Sequence, residues 1–155
     1  MGMGNTVLII EEDEILLGIY KEVLELHDYN VQIASSGLKG IEKFKQTKPS
    51  LVIMEIEMPD IDGLKVFKKI KEIDENANII IVTSDLEFKA KNQKILEQEP
   101  IKVILKPILV QELLNLAKRY IGRKLERINS IEEEMNELVN KTDEFIRKLN
   151  EKLIK

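Results

Sequence analysis

Leu51-Val52-Ile53-Met54-Glu55-Ile56-Glu57-Met58-Pro59-Asp60-Ile61-Asp62-Gly63 is the stretch whose reading decides the fold. Its first four residues are an unbroken apolar run, too short for a helix and of the kind found in a strand buried on both faces. The run stops at an acid. Pro59, Asp60, Asp62 and Gly63 then supply turn chemistry. Leu64, Phe67, Ile70 and Ile73 follow at helical spacing. The segment therefore reads as strand, turn, helix.

Working outward, Val7–Ile10, Asn78–Val82 and Ile101–Leu105 are runs of the same type, and Asn30–Ala34 is a weaker one. Helix-period stripes lie between them: Ile15, Leu16, Ile19, Val23 and Leu24; then Leu38, Ile41 and Phe44. A more polar segment runs from Leu86 to Leu96, and Leu109, Leu113, Leu116, Tyr120 and Ile121 form the last stripe. Asp28-Tyr29-Asn30, Lys48-Pro49-Ser50 and Asp74 to Asn76 mark turns. Five β-α repeats imply a parallel sheet with right-handed crossovers and helices on both faces. The expected fold is α/β, a flavodoxin-like (βα)5 doubly wound sheet of strand order 2-1-3-4-5.

In such sheets ligands sit outside the carboxyl ends of the strands. Glu11-Glu12-Asp13-Glu14 follows the first strand, Glu55 ends the third, Thr83-Ser84 follows the fourth and Lys106-Pro107 the fifth. Carboxylates, a hydroxyl and an ammonium thus converge on one edge. Carboxylate oxygens suit Mg²⁺, and a lysine beside a hydroxyl suits a phosphoryl group. Asp60 and Asp62 read as turn formers around Gly63, and His27 as a surface residue.

The four segments Val7–Glu14, Leu51–Gly63, Ile80–Ser84 and Leu105–Ile108 together resemble the receiver domain of two-component response regulators. The resemblance covers residues 5–122 and is most specific in Met58-Pro59-Asp60-Ile61-Asp62-Gly63 and Lys106-Pro107. It implies signalling rather than enzymatic catalysis, with a sensor histidine kinase or a downstream output protein as partner. It implies a surface for contact around the fourth helix, fifth strand and fifth helix. In that family an aspartate ends the third strand and accepts phosphate. Carried over, Glu55 takes the acceptor position, Glu11 and Glu12 the acidic pair that binds Mg²⁺, and the Glu57 carbonyl a further metal ligand. Thr83 and Lys106 take the places that grip the phosphoryl group.

Three departures stand out. Glu55 is one methylene longer than aspartate, which carries its carboxylate about 1.5 Å further, and a 1 Å misplacement lowers rates on the order of 10²-fold. Glu11 and Glu12 are both long, so three extended carboxylates are expected to crowd the pocket. Val103 stands where the family often has an aromatic switch residue. Three readings of Glu55 stay open: it reaches Lys106 and Thr83 and stands in for the phosphoryl group; the site is inert and the domain is a binding surface; or Glu55 accepts phosphate slowly, as a conventional Mg²⁺-dependent switch would. Mg²⁺ binding is expected to be weakened or lost.

Residues 123–155 differ in character. Ile128, Ile131, Met135, Leu138, Thr142, Phe145 and Leu149 alternate by three and four, the seam of a coiled coil, with Glu and Lys in most flanking places. A homodimer through this helix is expected, against the alternative of a solvated tail folded back on the domain. Ser130 followed by Glu133 suggests that the helix restarts there. A structural adaptor built on the coil, or a fragment of a longer regulator, remains an alternative function.

Composition excludes several classes. With 24 basic and 28 acidic residues in 155, net charge −4, no polyanion-binding surface is expected. Nucleic-acid contact by Lys118, Arg119, Arg123, Lys124 and Arg127 is therefore not expected either. Absence of cysteine removes disulfides and thiolate metal sites, and one histidine removes a multi-histidine site. No apolar run approaches the ~18 residues of a membrane span, and Met1-Gly2-Met3-Gly4 lacks the marks of a signal peptide. A cytoplasmic protein is expected.

Overall fold

Alternation of side-chain direction along each strand explains the three layers. The structure, a computed structural model, describes residues 4–97 and 101–154, with the backbone alone at residue 101 and residues 122–129. Five strands, β1 (Thr6–Ile10), β2 (Asn30–Ala34), β3 (Leu51–Glu55), β4 (Ile79–Thr83) and β5 (Ile101–Leu105), form one parallel sheet. Its order is β2-β1-β3-β4-β5, as the β-α alternation implied.

Val7, Ile9, Leu51, Ile53, Ile80, Val82 and Ile104 point to one face. There α1 (Glu14–Leu26) covers them with Leu17, Tyr20 and Leu24, and the first turns of α6 (Val110–Leu153) with Leu113, Leu116, Ala117 and Ile121. Leu8, Ile10, Val52, Met54, Ile79 and Ile81 point to the other face, under α2 (Gly37–Thr47) and α3 (Gly63–Ile73). Both faces of β1, β3 and β4 are closed, so their sequences are continuously apolar rather than alternating. Each fully buried aliphatic side chain contributes about 1.5–3 kcal/mol. Val103 is partly buried against the second cluster, a packing residue in the aromatic's place.

Local chemistry sets the helix ends. Asp13 caps α1 by accepting the N–H groups of Ile15 and Leu16, and Asp62 caps α3 by accepting that of Leu64. Asp28, at φ 65°, turns the chain into β2. Gly63 is required by close approach: a Cβ there would lie 2.3 Å from the Ile56 carbonyl oxygen.

The polar fourth helix is corrected by the structure. It is two single turns, α4 (Phe88–Lys91) and α5 (Gln93–Leu96), separated at Asn92. The Asn92 side chain donates to the Phe88 carbonyl at 2.9 Å, competing with the helical ladder, and only Phe88 is buried.

The chain divides into two compact units, Met1–Ile121 and Gly122–Lys155. The second is helical, and the helix runs on through Ser130 rather than restarting there. Ile131, Met135, Leu138, Phe145 and Leu149 are all exposed along it. Val139 and Ile146, beside that seam, are exposed as well, so the stripe is wider than the one expected. The Thr142 hydroxyl donates to the Leu138 carbonyl at 2.9 Å. Glu137–Lys141, Glu144–Lys148 and Arg147–Glu151 pair along the polar side. The side chains of Arg123, Lys124, Arg127, Ile128 and Asn129 lie outside the described residues, as do Met1 to Met3. Among the described residues no helix is long and apolar enough to cross a membrane.

Candidate functional site

Glu55 and Thr83 are the last residues of β3 and β4 rather than the first of their loops, which puts both in the sheet and buries them. Register does the rest. Ile10 of β1 lies beside Met54 of β3, so Glu11 emerges next to Glu55. Thr83 pairs with Leu105, which delivers Lys106 to the same edge.

Lys106 Nζ contacts Glu55 Oε2 directly and stands 3.1 Å from Glu11 Oε2. Glu55 and Glu11 side chains are 2% and 4% exposed, and that of Lys106 is 23%. Glu55 Oε1 accepts the N–H groups of Ile56 at 3.1 Å and Glu57 at 3.3 Å. Among the described residues its Oε2 has no partner other than the ammonium. Glu11 Oε1 accepts the Asp13 N–H at 3.1 Å. Both buried carboxylates are thus held on one oxygen by backbone and on the other by Lys106.

Burial pushes the Glu55 carboxyl above its ordinary range, and the Lys106 ammonium and Glu57 N–H only partly offset this. Burial works against the Lys106 ammonium too, but Glu55 and Glu11 outweigh it and raise its pKa. Burial, with Glu11 next, raises the phenol of Tyr20, which packs beneath this edge.

Thr83 does not reach Glu55. Its hydroxyl accepts the Asp85 N–H at 3.1 Å and donates to Glu57 Oε1 at 3.4 Å. The Ser84 hydroxyl donates to Glu57 Oε2 at 2.9 Å and lies 3.2 Å from Oε1. Asp60, expected as a turn former, caps α2 from another loop, accepting the N–H groups of Gly37 and Leu38 at 3.0 Å each. Slight burial raises its pKa, and those two N–H groups outweigh it and hold the carboxyl below the usual range. Sequence spacing carries no signal for this contact, which joins residues more than twenty positions apart.

The model of the response regulator receiver domain matches residues 7–118. The chain belongs to that family. It is 27% identical over 121 residues to the polar-differentiation response regulator DivK of Brucella anthropi, covering 77% of this chain and 98% of the relative. A receiver domain protein from Clostridium thermocellum superposes with TM-score 0.68 at 26% identity, over 77% of this chain and 95% of that one. The response regulator TrrA of Thermotoga maritima, in complex with Mg²⁺ and BeF, superposes with TM-score 0.66 at 25% identity, over 75% and 98%.

Receiver domains generally bind Mg²⁺, so the acidic edge can be tested for fit. The expected crowd of three carboxylates is not formed: Glu12 is exposed, and the Glu57 side chain is turned onto Thr83 and Ser84. Glu11 and Glu55 converge, but on an ammonium that already neutralises one of their two charges. Among the described residues no group of three or more acidic or histidine side chains is placed to hold a metal ion. As arranged, the site does not fit Mg²⁺. The side chains of Glu11, Glu12 and Glu57 therefore do not converge on one point among the described residues.

Proposed function

We propose that this chain is a receiver-derived signalling module that works without phosphorylation. The observation carrying this reading is the contact between Glu55 and Lys106 inside a nearly buried pocket. The extra methylene of Glu55 carries its carboxylate onto the lysine, where a phosphoryl oxygen would otherwise be gripped. A nucleophile that is 2% exposed and capped by an ammonium has no open line for in-line attack on a phosphodonor. Mg²⁺ binding is weak or lost for the reason given by the geometry of Glu11, Glu12 and Glu57. The domain, residues 5–122, then holds one active-like arrangement and signals by protein contact rather than by catalysis. It acts in the cytoplasm on a sensor histidine kinase or a downstream output protein, through the surface around α4, α5, β5 and the start of α6.

Residues 123–155 act as a coiled coil that joins copies of the chain. An exposed apolar stripe at heptad spacing is unstable alone in water and is covered by the same stripe of a second copy. A homodimer covers Met135, Leu138, Phe145 and Leu149 and leaves Val139 and Ile146 at its edge.

Intact mass after incubation with acetyl phosphate and Mg²⁺ tests the first part. The unmodified mass is expected to persist. A gain of one phosphoryl group by the parent chain would sink this reading and make the chain a conventional switch.

A further inference from the structure

In a receiver pocket two kinds of group grip an incoming phosphoryl oxygen: the lysine after β5 and the hydroxyl ending β4. Glu55 accounts only for the lysine. The hydroxyl side has a different occupant, one that the loss of aspartate at position 55 does not explain. The Glu57 carboxylate stands over Thr83 and Ser84, with Oε1 3.4 Å from the Thr83 hydroxyl and Oε2 2.9 Å from that of Ser84. Thr83 is fully buried, so its hydroxyl has no solvent to turn to, and its other contact is the Asp85 N–H. The backbone N–H of Glu57 meanwhile donates to Glu55 Oε1, tying the two acids into one turn.

We propose that Glu57 is a second internal occupant of the pocket, filling the hydroxyl side with its own carboxylate as Glu55 fills the lysine side. This rests on the reading of Glu55 above and extends it: the pocket is closed to oxyanions at two separate points. The chemistry of the exclusion is simple. A hydroxyl has one proton to donate, and the acceptor that faces Thr83 is Glu57 Oε1 at 3.4 Å. An anionic oxygen arriving there would meet a carboxylate of the same sign at contact distance, which is repulsive. Glu57 is exposed and Ser84 is exposed, so this closure is reversible and is a positioning effect rather than a fixed core contact.

The consequence separates this proposal from the simpler idea that Glu55 alone silences the site. Restoring aspartate by Glu55→Asp opens the lysine side and leaves the hydroxyl side filled. The experiment compares four full-length chains with acetyl phosphate and Mg²⁺: the parent, Glu55→Asp, Glu55→Asp with Glu57→Ala, and Glu55→Asp with Glu57→Gln. Phosphorylation forms a P–O bond to the carboxylate at position 55, breaks the P–O bond to the acyl oxygen and releases acetate. Each event is therefore read as one added phosphoryl mass. The Glu57→Gln arm removes the charge while keeping an oxygen for the hydroxyls, and guards against a loop disturbed by truncation to alanine.

Uptake is expected to be on the order of 10-fold faster or more in the Glu57→Ala double variant than in Glu55→Asp alone, with the Glu57→Gln double variant between them. Equal rates in Glu55→Asp and both double variants, zero included, would overturn the proposal and leave Glu57 as a tie between two loops. Uptake by the parent chain would sink the reading of Glu55 instead, and the comparison among the three variants would still decide the role of Glu57.

Discussion

Replacing Lys106 by methionine removes the ammonium that lies between two buried carboxylates, and the size of the effect follows from the geometry. Glu55 and Glu11 are 2% and 4% exposed, and Oε2 of each faces Lys106 Nζ. Removing one partner of a buried pair destabilises by about 3–5 kcal/mol, because the remaining charge is left without compensation. Lys106 is partly exposed, at 23%, so the lower end, about 3 kcal/mol, is expected near pH 8. The loss should shrink at lower pH. Without the ammonium, like charge and burial both raise the carboxyl pKa in the folded state. A folded state that binds an extra proton is favoured as pH falls, so destabilisation should decrease by up to about 1.4 kcal/mol per pH unit across that window. Urea unfolding followed by circular dichroism at pH 8 and pH 5.5 reads both quantities for parent and variant. Mg²⁺ should stabilise the variant, in which two carboxylates are freed, more than the parent. A loss below about 1 kcal/mol at pH 8, or one independent of pH, would refute the buried ion pair as the organising contact of the pocket.

Other consequences are open to the same kind of measurement. Gly63→Ala should destabilise by about 1–3 kcal/mol in urea, since the new methyl would overlap the Ile56 backbone and cannot be relieved by a side-chain rotation. Asp60→Ala should lower stability by about 0.5 kcal/mol at neutral pH, a small effect because the carboxylate is exposed to screening. Its carboxyl is held below the ordinary 3.8, so the contribution is present above that pH and lost as pH falls through the lower folded value; the parent and variant curves should converge there. Leu138→Asp with Phe145→Asp should convert a self-associating chain to monomer in sedimentation velocity; a parent that sediments as monomer at all concentrations would remove the coil from the proposal.

Strand order and the two-sided core were legible because β1, β3 and β4 are closed on both faces, and closure shows directly as unbroken runs of Val, Ile and Leu. The placement of Glu11, Glu55, Thr83 and Lys106 at one edge of the sheet was legible for a related reason: parallel register brings strand ends together. What periodicity does not encode was missed. The break at Asn92 depends on a side chain turning back onto the Phe88 carbonyl. Capture of Thr83 and Ser84 by Glu57, and of the α2 N-terminus by Asp60, depends on the path of one loop between β3 and α3. Glu12 reads as the twin of Glu11 in sequence, but both lie just past the end of β1, and only Glu11 turns inward while Glu12 is exposed. In the C-terminal unit Val139 and Ile146 were overlooked because a strict three-and-four pattern counts one residue per turn of the seam and passes over its neighbour.

Amide spectra of the isotopically labelled chain, with and without Mg²⁺ and BeF, test most directly whether the pocket is closed without phosphate. Resonances of Glu55, Glu57, Thr83, Ser84, Asp85 and Lys106 are expected to stay in place on addition, since their partners are already supplied by the chain. Saturable shifts at those residues, spreading to Phe88 and the neighbouring helical turns, would mean that the pocket opens to a phosphoryl analogue and that Glu55 and Lys106 do not hold it shut.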